Sequence, residues 1–125
     1  VLLILAALVS YGFALNIANF LGNAITISYG TELSKRVGGK HFIIDTSRNG
    51  MNISSLGNWC NPTGQRIGVA PTAKTGHSLV DAFLWVKTPG QSDGSCGGGP
   101  GAGKFWAEYA LGLAGGSWER FLSRR

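Results

Sequence analysis

The sequence predicts an α/β fold built on a parallel sheet, and three features carry that prediction. Two short apolar runs, Gly12–Ala18 and His41–Asp45, each reach a polar residue near their ends, as strands buried on both faces do when they stop at a site. Between them lies a stretch of helical periodicity, Asn23–Val37. A third β-rich run, Asp81–Val86, follows after a long loop. Strand, helix, strand in that order implies parallel neighbours, because a parallel pair needs a crossover connection.

The elements are justified in turn. Gly12-Phe13-Ala14-Leu15-Asn16-Ile17-Ala18 is apolar apart from one Asn, the composition of a buried strand. From Asn23 to Val37, Ala24, Ile27, Tyr29, Leu33 and Val37 recur at three-to-four spacing, which predicts a helix with those residues on its packed face. Gly38-Gly39 supplies the stop. His41-Phe42-Ile43-Ile44-Asp45 is a second buried strand ending in a carboxylate, and Asp81-Ala82-Phe83-Leu84-Trp85-Val86 a third. Phe105, Trp106, Tyr109, Ala110 and Leu113 share one face of a last helix between Lys104 and Gly115. Loops after strand C-termini line the active sites of parallel α/β proteins. Here those loops, Thr46 to Val80 and Lys87 to Gly103, far exceed the usual ~2–6 residues.

Composition narrows the class. The chain has 125 residues, one domain at most, with 20 Gly and 14% charged residues, a loop-rich and weakly charged balance. At 44% hydrophobic it is not a disordered chain. No apolar run reaches the ~18 residues of a membrane span. The net charge of +5 is scattered over Lys35-Arg36, Arg120 and Arg124-Arg125 without interleaved aromatics, so no nucleic-acid partner is expected. Val1 to Val9 resembles the apolar core of a secretory leader but lacks a basic start and a clear small-x-small cleavage site. Residues 1–11 are therefore read as an apolar remnant or leader-like segment, with truncation preferred, residues 12–115 as the domain, and 116–125 as a basic tail.

Few residues can carry chemistry. Of the six acids, Glu32, Glu108 and Glu119 fall on polar faces or in the tail, and Asp81 opens a strand, which leaves Asp45 and Asp93. Trp59 lies in a loop beside Asn58 and Asn61, where it either offers an apolar plate to a sugar or packs against neighbouring Cys60. Cys60 and Cys96 are too few for a zinc site; a disulfide between two loops, which would place the protein outside the cytosol, is the first reading and two independent thiols the second. His41 and His77 stand in no nucleophile-elbow setting. Gly97 to Lys104 departs from a phosphate-binding loop because Phe105 stands where Ser or Thr is required. Asn52-Ile53-Ser54 is a glycosylation sequon and a weak signal. No metal and no cofactor is expected.

The linked motifs Gly12-Phe13-Ala14-Leu15-Asn16, Phe42 to Gly50 (FIIDTSRNG), Trp59-Cys60-Asn61-Pro62, Leu79 to Lys87 (LVDAFLWVK), Pro89-Gly90-x-Ser92-Asp93-Gly94 and Trp106-x-Glu108-Tyr109-Ala110-Leu111 together resemble the C-terminal part of the catalytic domain of glycoside hydrolase family 6. These are the β-1,4-glucanases and cellobiohydrolases, and the likeness is strongest to actinobacterial members. The resemblance implies part of a distorted parallel β/α barrel, a secreted or cell-envelope location, and cleavage of cellulose with inversion. It implies that Asp93 is the candidate catalytic base, flanked by Arg48 and Lys87 as cations that keep it ionised. It further implies that Trp59 stacks on sugar, that Lys87, Gln91 and, less specifically, Asn16 line the substrate cleft, that Asp45 supports the site, and that Cys60 and Cys96 form a disulfide.

Two departures accompany the resemblance. Gln91 stands where the family usually has Glu. The family's proton donor lies in an upstream Tyr-x-x-Pro-x-Arg-Asp-Cys segment, and neither Arg-Asp-Cys nor Glu-Pro-Asp occurs in these residues. An inverting glycosidase needs an acid and a water-activating carboxylate about 6.5–9.5 Å apart, so these residues are expected to hold one of the two and to be inactive alone. A separately encoded N-terminal half would complete the pair. The alternative is a non-catalytic carbohydrate-binding or decayed remnant.

Overall fold

A computed structural model describes residues 11–116; the leader-like segment and the basic tail lie, but for Tyr11 and Gly116, outside the described residues. The chain forms strand β1 (Gly12–Leu15), helix α1 (Asn23–Arg36), strands β2 (His41–Asp45) and β3 (Val80–Leu84), and helix α2 (Ala107–Leu113), with a single 3-10 turn at Cys96–Gly98. The strands make one parallel sheet in the order β1-β2-β3. Phe13 pairs with Phe42 and Ile44 with Phe83, and one irregularity falls between Phe42 and Ile43. The parallel α/β expectation holds, and the sheet is the size of a barrel segment.

The core lies on one face of the sheet. Phe42, Ile44, Val80 and Phe83 are buried, with Phe13, Leu15, Ile27 and Leu79 packed against them, and the rings of Phe13 and Phe42 stack with centroids 5.1 Å apart. Strand alternation sends Ala14, Ile43 and Ala82 to the opposite face, where Ala14 is exposed and the other two half-buried. The edge of β3 is partly covered, because Thr72 and Phe83 exchange both backbone hydrogen bonds at 2.9 and 3.0 Å. Among the described residues, β2 is the one strand neighbour of β1.

Three expectations change in detail. The packed face of α1 is not the predicted apolar set: Thr26, Gly30 and Ser34 are buried, whereas Tyr29 and Ala24 are exposed and Ile27, Leu33 and Val37 half-buried. The sheet approaches so closely that only small side chains fit; a Cβ on Gly30 would lie 2.5 Å from Phe42 Cε2 and 2.8 Å from Leu15 Cδ1. The first strand stops at Leu15 because Asn16 turns into the left-handed region (φ 59°). The last helix starts at Ala107 rather than Lys104, since Lys104 to Trp106 run extended beside Gly90 to Ser92: Ser92 N–H donates to Lys104 O and Trp106 N–H to Gly90 O, both at 2.9 Å.

Candidate active site

The strand exits are fastened by one buried carboxylate. Asp45 is fully buried at the end of β2. Its Oδ1 accepts the N–H of Ser47 (2.9 Å), and its Oδ2 accepts those of Ala18 (2.8 Å) and Lys87 (3.1 Å). The loops leaving β1, β2 and β3 thus converge on a single side chain. Asn16 tightens the same junction: its amide donates to Leu21 O (3.1 Å) and Asp45 O (3.0 Å) and accepts Leu21 N–H (3.1 Å). Both amide hydrogens are therefore spent on backbone, and the residue holds β1 to β2.

From this junction Arg48 and Lys87 reach one carboxylate. Arg48 Nη1 donates to Asp93 Oδ2 at 2.8 Å and Lys87 Nζ to Asp93 Oδ1 at 2.6 Å. The Arg48 side chain is 1% exposed and that of Asp93 7%. Arg48 also donates to Ala18 O, and its guanidinium lies 4.1 Å from the ring centroid of Phe20, a cation–π contact. A third donor to Asp93 comes from the other long loop, where Asn61 N–H meets Oδ2 at 2.9 Å. Burial pushes the Asp93 carboxyl up, but the hydrogen bonds from Arg48, Lys87 and Asn61, together with the Arg48 charge, outweigh it and hold the group below its ordinary value. Tyr109, on α2, donates its hydroxyl to Pro62 O at 3.2 Å; burial raises its pKa, with Arg48 opposing and Asp93 adding to the rise.

A carboxylate offers about four lone-pair sites, and three on Asp93 are taken, two on Oδ2 and one on Oδ1. The remaining site on Oδ1 can accept one further donor, such as a water. Asp93 is thus an acceptor held in its ionised form, in the loops beyond the C-terminal ends of a parallel sheet. Trp59 is 65% exposed two residues before Asn61, so the reading in which it packs away against the disulfide is not what the structure shows. Gln91 is half-buried in the turn closed by its N–H on Thr88 O (3.1 Å). Cys60 and Cys96 are disulfide-bonded, with Cα atoms 6.2 Å apart, and join the two long loops.

Sequence reasoning left out Asn61, Tyr109 and Phe20 as members of the site. Asn61 had a signal, since Asn-Pro marks a turn and an Asn at φ 45° is a common way to make one. Tyr109, on the apolar face of the last helix, reads first as core, and Phe20, in the loop after β1, carries no signal of its own.

Two other described carboxylates, Glu32 and Asp81, stand apart from this arrangement. Glu32 pairs with Lys35 on exposed α1 (2.6 Å), Asp81 pairs with His41 Nδ1 (2.8 Å) where β2 and β3 begin, and Glu108 lies on α2. No group of three or more His, Cys, Asp or Glu side chains that could hold a metal occurs among the described residues, and no helix among them is long and apolar enough to cross a membrane.

A parallel sheet whose exit loops suspend one carboxylate between two cations has the architecture of α/β proteins that place their sites beyond the strand C-termini. Comparison with known proteins names the group. Residues 6–117 match the model of glycosyl hydrolases family 6, and the chain belongs to that family. It is 53% identical over 103 residues to Endoglucanase A of Cellulomonas fimi, covering 82% of this chain and 22% of that protein. Against Endoglucanase 1 of Streptomyces halstedii the identity is 47% over 108 residues, covering 81% and 32%. Among solved structures, the endoglucanase Cel6 of Mycobacterium tuberculosis, in complex with methyl-cellobiosyl-4-deoxy-4-thio-β-D-cellobioside, superposes with a TM-score of 0.79 at 46% identity, covering 85% of this chain and 37% of that one. The chain therefore spans about a fifth to a third of the length of these curated relatives.

Proposed function

We propose that these residues form the water-activating side of an inverting β-1,4-glucan hydrolase, with Asp93 as the base-side carboxylate and Trp59 as a sugar platform. The observation that carries this reading is Asp93 itself, a carboxylate beyond the strand ends held below its ordinary pKa between Arg48 and Lys87. In an inverting reaction such a carboxylate takes the proton of the water that attacks the anomeric carbon, while an acid across the scissile bond protonates the leaving oxygen. Lys87 and Arg48 fix the carboxylate's orientation and its charge. Lys87, with Gln91 in the turn that follows it, contacts substrate, and Asn16 serves the cleft indirectly through the backbone it holds. The relatives are named endoglucanases and cellobiohydrolases, and that naming supports cellulose as the substrate class. A disulfide between the two site loops supports a secreted or cell-envelope location.

The proton-donating acid is supplied by sequence other than these 125 residues, either an earlier part of the same polypeptide or a separately encoded half. These residues alone bind cello-oligosaccharide and do not turn it over. General acid catalysis is worth about 100- to 10,000-fold, and its loss separates the two activities. The test is a pair of measurements on the purified chain: Trp fluorescence titrated with cello-oligosaccharide, and release of reducing ends from soluble β-glucan with and without a polypeptide carrying the family's Arg-Asp-Cys segment. Binding without turnover, with hydrolysis restored by that polypeptide, is expected. Turnover by the chain alone at the level of intact enzymes overturns the reading. The second reading, a binding remnant without catalysis, is favoured by the exposure of Trp59 (65%), and failure of the added segment to restore hydrolysis would select it.

A further inference from the structure

We propose that Asn61 is the positioning residue of this site, the group that carries the fixed geometry of the disulfide-linked loops onto the Asp93 carboxylate. Asn61 is 4% exposed and meets Asp93 twice: its backbone N–H donates to Asp93 Oδ2 (2.9 Å), and its Oδ1 accepts the Asp93 N–H (2.7 Å). Its Nδ2 donates to Gly94 O (2.8 Å) and Cys96 O (3.0 Å) and lies 3.2 Å from Ser92 Oγ. One side chain thus binds the main chain on both sides of Asp93 and the main chain of Cys96. Because Cys60 immediately precedes Asn61 and is bonded to Cys96, the bridge and the amide close one rigid unit around the carboxylate. Packing is tight on the amide as well: a Cβ on Gly99 would lie 2.8 Å from Asn61 Nδ2.

A turn requirement does not explain this side chain. The backbone of residue 61 lies at φ 45°, which Gly adopts at least as readily, and Gly would keep the N–H that reaches Oδ2. What Gly cannot supply is the amide that fixes Asp93 and Cys96. The charged and titratable groups around Asp93 are Arg48 from the loop after β2, Lys87 from the loop after β3, Tyr109 from α2, and Asp45 beneath the Lys87 backbone. With Asn61 in place the carboxylate meets both cations and the Asn61 N–H together; without the side chain the Asp93 N–H and the carbonyls of Gly94 and Cys96 lose their partner, and the N–H of residue 61 and the bridge alone no longer fix the direction of the carboxylate.

The catalytic meaning of this inference rests on the reading of Asp93 as the water-activating group, but its test does not. The Asp93 carboxyl carbon is titrated by NMR in the full oxidised chain, in Asn61→Gly and in Asn61→Asp. Removing the amide is expected to raise the proton affinity of Asp93 about tenfold, one pH unit, and Asn61→Asp to raise it further by placing a second carboxylate nearby. In the unmodified chain the Asn61 backbone amide proton signal is expected to move with the Asp93 midpoint. A role confined to the turn would lower the unfolding midpoint and leave the Asp93 titration where it is. An unchanged Asp93 midpoint in Asn61→Gly overturns the proposal, whatever the added charge does in Asn61→Asp. If the variants fail to fold, an Asn61 amide signal indifferent to Asp93 in the unmodified chain overturns it. Failure of cello-oligosaccharide binding strikes the functional reading and leaves this one standing.

Discussion

Replacing Arg48 by Met tests the charge arrangement most directly. Arg48 and Asp93 are nearly sealed from solvent, 1% and 7% exposed at their side chains, so solvent screening gives little relief. Removing one partner of such a pair costs about 3–5 kcal/mol, because the other charge is left buried and unpaired. Two things place this case in the lower half of that range: Lys87 at 2.6 Å and the Asn61 N–H at 2.9 Å still hold Asp93. The lost contact with Phe20, at 4.1 Å, adds about 1 kcal/mol, and Met retains much of the packing of the aliphatic stem. The expected total is about 4 kcal/mol. Urea unfolding of Arg48→Met, Asp93→Asn and the double variant gives the pair's own share, about 2 kcal/mol of coupling. Should Arg48→Met unfold without denaturant, Asp93→Asn in the same chain must restore a folded state. Coupling below about 0.5 kcal/mol, or no restoration, refutes the argument that the pair acts as a unit.

Three further outcomes are expected. Reducing Cys60–Cys96, separated by 36 residues, removes about 4 kcal/mol on the loop-entropy model, read as a lowered urea midpoint. The folded-state pKa of Asp93 is depressed, so its contribution to stability is complete above the unfolded carboxylate's ~3.9 and is lost as pH falls through the lower folded value; acid titration followed by circular dichroism should show this loss in the unmodified chain and not in Asp93→Asn. Gly30→Ala should lower the thermal midpoint despite a gain in helix propensity of about 1 kcal/mol, because the new methyl would lie 2.5 Å from Phe42 Cε2 and overpacking costs about 1–3 kcal/mol.

The parallel sheet was legible because its strands are apolar runs that stop at polar residues, and β2 falls on the predicted bounds, His41–Asp45. The buried face of α1 was not, because periodicity finds large apolar residues, whereas contact between a helix and a sheet this close selects Thr26, Gly30 and Ser34. The meeting of Arg48, Lys87 and Asp93, 45 and 6 residues apart along the chain, came from family resemblance and not from spacing, since no local pattern encodes a contact between two loops. Asn16 was legible as a polar residue at a strand end, but its bonds, which clasp two backbone segments, were not, because the one to Asp45 O joins residues 29 positions apart.

The two halves of this structure are stabilised in different ways, and that difference bears on what a partial barrel can do. The sheet depends on area: its buried core is Phe42, Ile44, Val80 and Phe83, and its other face carries Ala14, Ile43 and Ala82 with little covering them, so much of the stabilisation a closed barrel draws from its filled interior is missing from these residues. The site depends instead on hydrogen bonds among its own loops: Asp45 gathers three loop N–H groups, Asn61 joins Asp93 to Cys96, and the disulfide closes the loops. Completing the barrel is therefore expected to act on the stability of the sheet far more than on the geometry of Asp93; on the function proposed above, what it would add to catalysis is an acid across the cleft and not a rearrangement of the carboxylate.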